Sequence, residues 1–339
     1  MKAIVLKDVK KFEVIEKDIP QVSENKVLIK VSKTGICGSD IHMIWATGYG
    51  AGTNFVIGHE FCGEIVDANN SSSFKVGDRV VAMEIDPCNE CDYCKSGRPN
   101  LCDHVLDGGP GIGSNGGYGQ YVVVREDMVR KIPDHMSDVE GALVEPASIS
   151  MHGVKMAGVK EGSRVLVTGG GAIGLFAAAC AYALGAKVVA ISEVNQERIQ
   201  IAKEANFVTH ALNGRDQDIE EQMKAICPDG FDAVIECSGN KIASTAGLKA
   251  LKKGGHMVCI AYGLQPDIDI FSFVNNELHI SGSVFFTPEE FELVIELIAN
   301  HRIDLAPYAK VITMEEVQEV LEKLETGEEN AIKYVIDMK

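Results

Sequence analysis

The first part of the chain is built of short apolar or alternating runs. They occupy residues 3–6, 27–31, 80–83 and 121–124, and polar residues and glycines bound each one. Turn-rich stretches such as Asn69-Asn70-Ser71-Ser72-Ser73 and Gly108-Gly109-Pro110-Gly111 lie between them. Short β-favouring runs with this punctuation predict strands joined by long loops, in an irregular barrel or sandwich.

The texture changes after about residue 150. Residues 165–168 form a continuous apolar run of the kind found in a fully buried strand. A helix-like stretch over 172–184 ends at Gly185, and 187–191 reads as a second buried strand. Residues 196–205 have helical composition, and strands at 233–236 and 256–261 flank a helical stretch at 242–251. This alternation predicts a parallel sheet with helices on both faces. The charge-free stretch 165–186 is about long enough to cross a bilayer. Gly169-Gly170-Gly171 and Gly174 interrupt it, and Arg164 and Lys187 flank it, so strand, glycine turn and helix fit better than a membrane span. In the tail, Thr287-Pro288-Glu289-Glu290 is a capping box with proline at the first helical position, opening a helix to about Asn300. Thr313-Met314-Glu315-Glu316 opens another that ends near Gly327.

Composition narrows the partners. At 339 residues the chain exceeds one typical core, so two domains are expected. A 46% hydrophobic and 24% charged composition excludes a disordered or fibrous chain. The net charge of -17 repels nucleic-acid phosphates and anionic lipid, leaving small molecules or further copies of the chain as partners. The N-terminal apolar residues meet Lys7 and Asp8 almost at once, without an apolar stretch of signal-peptide length. A cytoplasmic location is therefore expected, where ten cysteines serve metal binding, catalysis or packing rather than disulfides.

Four of those cysteines have a spacing with chemical meaning. Cys88, Cys91, Cys94 and Cys102 give C-x2-C-x2-C-x7-C, which suits a closed tetrahedral zinc shell of structural type, with an iron–sulfur cluster as the alternative. A second, looser set holds Cys37, His59, Glu60 and Glu145. Mixed S, N and O donors from separate segments suit a catalytic zinc that keeps a labile position. Alone, each of these residues is a weak signal: a lone histidine is more often structural than a ligand, and a lone glutamate is usually surface. Asp40 is placed to orient the His59 imidazole, and Ser39 and His42 to carry a proton to solvent. The third signal is Gly169-Gly170-Gly171-Ala172-Ile173-Gly174, a G-x-G-x-x-G between an expected strand and an expected helix. Gly169 suits the tight turn, Gly171 the approach of a pyrophosphate, and Gly174 close helix–strand packing. Glu193 follows at the end of the next strand, where an acid binds ribose hydroxyls; a carboxylate there favours NAD over NADP.

Taken in order, these pieces resemble the zinc-dependent medium-chain alcohol dehydrogenases over essentially the whole chain. The residues that carry the resemblance are Cys37-Gly38-Ser39-Asp40-x-His42, Gly58-His59-Glu60-x-x-Gly63, Val76-Gly77-Asp78-Arg79-Val80, the four-cysteine lobe, Glu145-Pro146 and the glycine fingerprint. Glu145, where classical members have cysteine, points to the polyol branch of sorbitol, 2,3-butanediol and threonine dehydrogenases. The runs 116–124 and 143–146 look most like butanediol dehydrogenases. One departure is Asn69, where the family often has glycine; asparagine tolerates the left-handed turn.

The resemblance implies an α/β plus β fold, in which a GroES-like β-barrel catalytic domain accompanies a Rossmann domain with a doubly wound parallel sheet. The catalytic domain would comprise 1–150 and 285–339, with a structural zinc lobe at about 86–104, around a cofactor domain at 151–284. It implies two zinc ions per chain, with Cys37, His59 and Glu145 on the catalytic one and Glu60 either ligating directly or exchanging with water and substrate. It implies NAD held at Gly169, Gly171, Ala172, Ile173, Gly174, Glu193 and Arg198, and a homotetramer, or alternatively a homodimer. The activity implied is NAD-linked oxidation of a small polyol or vicinal diol, with the proton leaving through Ser39, the cofactor ribose and His42. Trp45 and Phe285 are candidate pocket walls. The alternatives are an enzyme like L-threonine 3-dehydrogenase, a non-catalytic NAD- or zinc-binding relative, and, less favoured, a zinc-free quinone reductase of the same fold.

Overall fold

A computed structural model describes residues 1–41, 52–263, 266–328 and 331–339. Strands are numbered along the chain. The hub of the first unit, Met1–Glu145 with Thr287–Lys339, is the long strand β3 (Lys26–Gly35). Val27, Leu28, Ile29 and Val31 are buried along it. Strand β4 (Phe61–Asp67) pairs antiparallel with β3, continuing to β5 (Arg79–Ala82) and β7 (Val129–Lys131). Strand β6 (Tyr121–Arg125) also pairs with β3. On the other side lie β15 (Lys333–Asp337) and β14 (Ala309–Thr313), giving the order β14-β15-β3-β4-β5-β7. Strands β1 (Lys2–Asp8) and β2 (Lys11–Glu16) form a separate antiparallel pair. Each fully buried aliphatic side chain in these strands contributes roughly 1.5–3 kcal/mol, as an upper estimate.

Turn and helix signals act as read. Asn69 has φ 42°, and its side-chain amide donates to the Ser23 carbonyl, so the residue replacing glycine anchors its own left-handed turn. The helix Pro288–Ala299 carries the Thr287–Glu290 capping box and buries Phe291, Val294, Leu297 and Ile298. The Thr313–Glu316 box instead caps a 3-10 turn, Met314–Glu316, which leads into the helix Val317–Thr326 and its left-handed Gly327 cap. Among the helices that the periodicity did not predict are Asp138–Ala142, with a Ser137–Glu140 capping box, and Val144–Met156. The second is helical and buried over much of its length, so it lacks the one-sided apolar stripe that marks a surface helix.

The second unit, Pro146–Phe286, is a six-stranded parallel sheet. Its strands are β8 (Arg164–Thr168), β9 (Val188–Glu193), β10 (His210–Asn213), β11 (Phe231–Glu236), β12 (Leu251–Cys259) and β13 (His279–Gly282). Their order, β10-β9-β8-β11-β12-β13, is the doubly wound 3-2-1-4-5-6 arrangement of dinucleotide-binding sheets. Strand β12 begins earlier than the apolar pattern indicates, because Lys252, Lys253, Gly254 and Gly255 mask its first half. The charge-free stretch divides into β8 and the helix Ala172–Ala183, and among the described residues no helix is long and apolar enough to cross a membrane.

Candidate active site

The cysteine lobe is a local structure. Cys91 caps the short helix Asp92–Lys95. The sulfurs of Cys88, Cys91, Cys94 and Cys102 lie within 4.8 Å of one another. Cys88 and Cys102 sulfurs are 3.5 Å apart, and Cys88 and Cys94 sulfurs 4.0 Å. Four sulfurs at the usual zinc–thiolate bond length are about 3.8 Å apart, so the set fits one zinc. Backbone N–H groups of Cys88, Cys91, Cys94 and His104 point at the lobe's sulfurs. The N–H groups of Glu90 and Cys91 lower the Cys88 thiol to about 6, making it a thiolate at neutral pH, whereas burial pushes Cys94 up to about 12. All ten cysteines are free thiols. Cys62 and Cys180 are buried, and burial pushes each up to about 12, in keeping with inert packing thiols.

The mixed-donor site is assembled by strand ends of the first unit. Cys37 follows β3, and His59 and Glu60 precede β4, where Thr34 pairs with Phe61. Glu145 lies in the first turn of the helix Val144–Met156, where a carboxylate meets the positive end of the helix dipole. Donor atoms of Cys37, His59 and Glu60 lie within 4.8 Å of one another, and so do those of His59, Glu84 and Glu145. His59 is common to both groups. Four of these residues, His59, Glu60, Glu84 and Glu145, are at most 5% exposed.

So many buried acidic groups are stable together only where they are protonated or matched by a cation. Burial alone would depress the His59 pKa, yet Glu84, then Cys37 and Glu145, raise it well above 6.5. Burial and then repulsion from Glu84 lift the Glu145 carboxyl well above its ordinary range, with His59 opposing. Among the described residues, Glu60 Oε2 and Asp40 Oδ1 are buried with no hydrogen-bond partner. Sulfur, imidazole and carboxylate donors around unmatched anionic atoms fit a divalent metal of the zinc type. Asp40 Oδ2 accepts from the Cys37 backbone N–H at 3.0 Å and from Tyr118 Oη at 2.8 Å. Asp40 therefore fixes the Cys37 backbone directly and acts on His59 through its charge. Burial raises the Asp40 pKa, against the opposing pull of His59.

Three residues of this site were not singled out from the sequence. Glu84 sits between buried Met83 and Ile85, just past β5; a charge inside an apolar run was the available signal. Lys333 begins β15, and its Nζ lies 2.6 Å from Glu60 Oε1, with both side chains at most 4% exposed. Burial opposes its charge, but Glu60 and then Cys37 keep its pKa raised. Tyr118 is fully buried, and its hydroxyl is used by Asp40. Of the expected proton path, Ser39 is half-buried next to the site, while His42 and Trp45 lie outside the described residues.

In the second unit the glycine loop joins β8 to the helix Ala172–Ala183. Gly169 has φ 92°, and a side chain on Gly174 would meet the Gly169 carbonyl at 1.9 Å. The N-cap Gly171 supplies no side-chain cap, which leaves the helix N-terminal N–H groups around Ala172 and Ile173 available to an anion. Glu193 Oε2 accepts from the Gly170 N–H at 2.6 Å, and Oε1 from the N–H groups of Val194 and Asn195. It thus braces the loop as well as presenting a carboxylate there. Arg198 Nη1 is 3.8 Å from where a Gly171 Cβ would be, and among the described residues its buried Nε has no partner. These features fit a dinucleotide. Phe285, half-buried with φ 53°, belongs to this unit.

Comparison with known proteins agrees with both halves. Residues 23–134 match the family model of the alcohol dehydrogenase GroES-like domain, and 172–300 that of the zinc-binding dehydrogenases. The chain is 32% identical to sorbitol dehydrogenase of Bacillus subtilis, covering 99% of this chain and 97% of that one. It is 35% identical to L-threonine 3-dehydrogenase of Vibrio cholerae, covering 86% of each. A structure described as a zinc-binding dehydrogenase of Sinorhizobium meliloti 1021, solved with NADP, superposes with TM-score 0.87 at 28% identity, over 99% of this chain and 98% of that one.

Proposed function

The chain belongs to the zinc-dependent medium-chain alcohol dehydrogenases, and from that premise we propose that it oxidises the secondary alcohol of a small polyol or vicinal diol with NAD, and reduces the corresponding ketone. The observation that carries this reading is the largely buried mixed-donor site, in which His59 joins a group with Cys37 and Glu60 to a group with Glu84 and Glu145. Zinc there supplies a Lewis acid toward an alcohol oxygen, and the nicotinamide supplies the hydride acceptor.

The rest falls to the protein. Cys37, His59 and Glu145 hold the metal, and Asp40 keeps Cys37 in place through its backbone N–H. Tyr118 fixes Asp40. Ser39 accepts the substrate proton and passes it toward His42. At the glycine loop, backbone N–H groups take the pyrophosphate. Glu193, with Arg198 beside it, faces the adenosine ribose, where a carboxylate repels the extra phosphate of NADP. The anionic pocket suits a neutral polyol better than an acid. A second reading, an amino alcohol such as threonine, draws on the 35% identity to the Vibrio enzyme and on the affinity of such a pocket for an ammonium group.

NAD reduction is to be measured with sorbitol, xylitol, 2,3-butanediol and L-threonine, before and after chelation. Turnover on a polyol or diol that is lost with zinc is the expected result. Preference for threonine would shift the reading to the second. NAD binding with no turnover on any alcohol would refute both.

A further inference from the structure

The carboxylate that closes the metal site is a choice between two residues. Glu60 Oε1 is held by Lys333 at 2.6 Å in a buried ion pair. Strand register enforces this: Val335 pairs with Gly35, and the Gly35 N–H donates to the Glu60 carbonyl. Glu60 Oε2 lies over Gly35, where a Cβ would be only 2.0 Å away, so the second oxygen occupies space that glycine provides. Moving Glu60 onto a metal would leave the Lys333 ammonium buried without its partner.

Among the described residues, Glu84 makes no ion pair with a lysine or arginine. Its Oε2 is 3.6 Å from His59 Nε2, with both side chains at most 6% exposed. Two nitrogen or oxygen ligands of one tetrahedral zinc, each at about 2.1 Å, stand about 3.4 Å apart. Its donor atom is also within 4.8 Å of that of Glu145. The unpartnered buried oxygen of Glu60 shows independently that the pocket holds more anionic character than its own hydrogen bonds satisfy.

We propose that Glu84 is a further metal ligand of this chain, occupying beside His59 and Glu145 the exchangeable position that substrate must take, while Lys333 keeps Glu60 off the metal. The assignment rests on the zinc reading above. It makes Glu84 a gate as well as a ligand, because a substrate oxygen enters only as this carboxylate leaves. Polyhydroxy substrates, whose second hydroxyl can hydrogen-bond to the displaced carboxylate, suit such a gate.

The test uses the full-length protein with zinc retained in the cysteine lobe and cobalt(II) exchanged into the mixed-donor site. Visible d–d bands and metal affinity by chelator competition are compared for wild type, Glu84→Gln and Glu60→Gln. The expected result is that Glu84→Gln shifts the bands and weakens affinity at least about tenfold. Glu60→Gln should leave the bands in place and change affinity by less. Retained lobe zinc reports that each variant is folded. Unchanged bands in Glu84→Gln, or a larger change in Glu60→Gln, would overturn the assignment. A wild-type chain that takes up metal only in the cysteine lobe would overturn the zinc reading itself, and this assignment with it.

Discussion

The cysteine lobe and the mixed-donor site of the first unit reach a metal-binding geometry by opposite routes. In the lobe, four like donors come from one short stretch, and the local backbone aims N–H groups at the sulfurs. The shell is complete, leaving no room for substrate. In the mixed site, unlike donors come from strand ends and a helix start far apart in the chain, with one carboxylate tied to a buried lysine. Its donors outnumber the positions of a tetrahedral ion. A closed, matched shell staples structure, and an overfull, mismatched one permits exchange. Chemistry is therefore expected at the second site and stability at the first.

Substitutions at the two sites should separate these roles. The largest effect is expected for His59→Ala, since His59 belongs to both donor groups. Turnover should fall at least about a thousandfold while zinc content drops from two to one per chain. Thermal unfolding should show the fold retained. Cys91→Ser should do the reverse, lowering the melting temperature by roughly 5–15 °C while folded molecules keep most of their turnover. Equal damage to both properties by either variant would break the contrast.

Smaller effects sharpen it. Tyr118→Phe strips one of the two donors from buried Asp40 Oδ2 and should cost about 1–3 kcal/mol in chemical denaturation. Loss of a group that only fills space would cost less. Glu193→Ala removes the carboxylate at the ribose position and should narrow the preference for NAD over NADP by about tenfold, read as the ratio of kcat/KM values. The smallest perturbation is chemical. After chelation, alkylation followed by peptide mapping should label Cys88 with a pH midpoint near 6, because its thiolate predominates above that value. Cys62 and Cys180, at about 12, should stay unlabelled over the same range.

What the sequence disclosed follows the same division. The geometry of the lobe and of the glycine loop was legible because each is written in a short stretch with fixed spacing, the glycine loop between a strand and a helix that periodicity finds. Cys37, His59 and Glu145 could be proposed only as a set, because no local pattern joins them. Glu84 and Lys333 were hidden for a further reason. Each is one charge in an apolar run, which alternation alone assigns to an exposed strand face. Both are buried, and only the strand registers that bring β15 against β3 and β4 against β5 reveal why. The start of β12 was obscured by lysines and glycines, and the helix after Glu145 by its uniform burial.

The most direct test of the central claim is graded chelation with zinc content, turnover and unfolding temperature followed together on one preparation. Two zinc ions per chain are expected: the first to leave takes the dehydrogenase activity with it and spares the unfolding temperature, and the second lowers the unfolding temperature. Activity that persists after the first ion leaves and ends only when the lobe empties would contradict that claim.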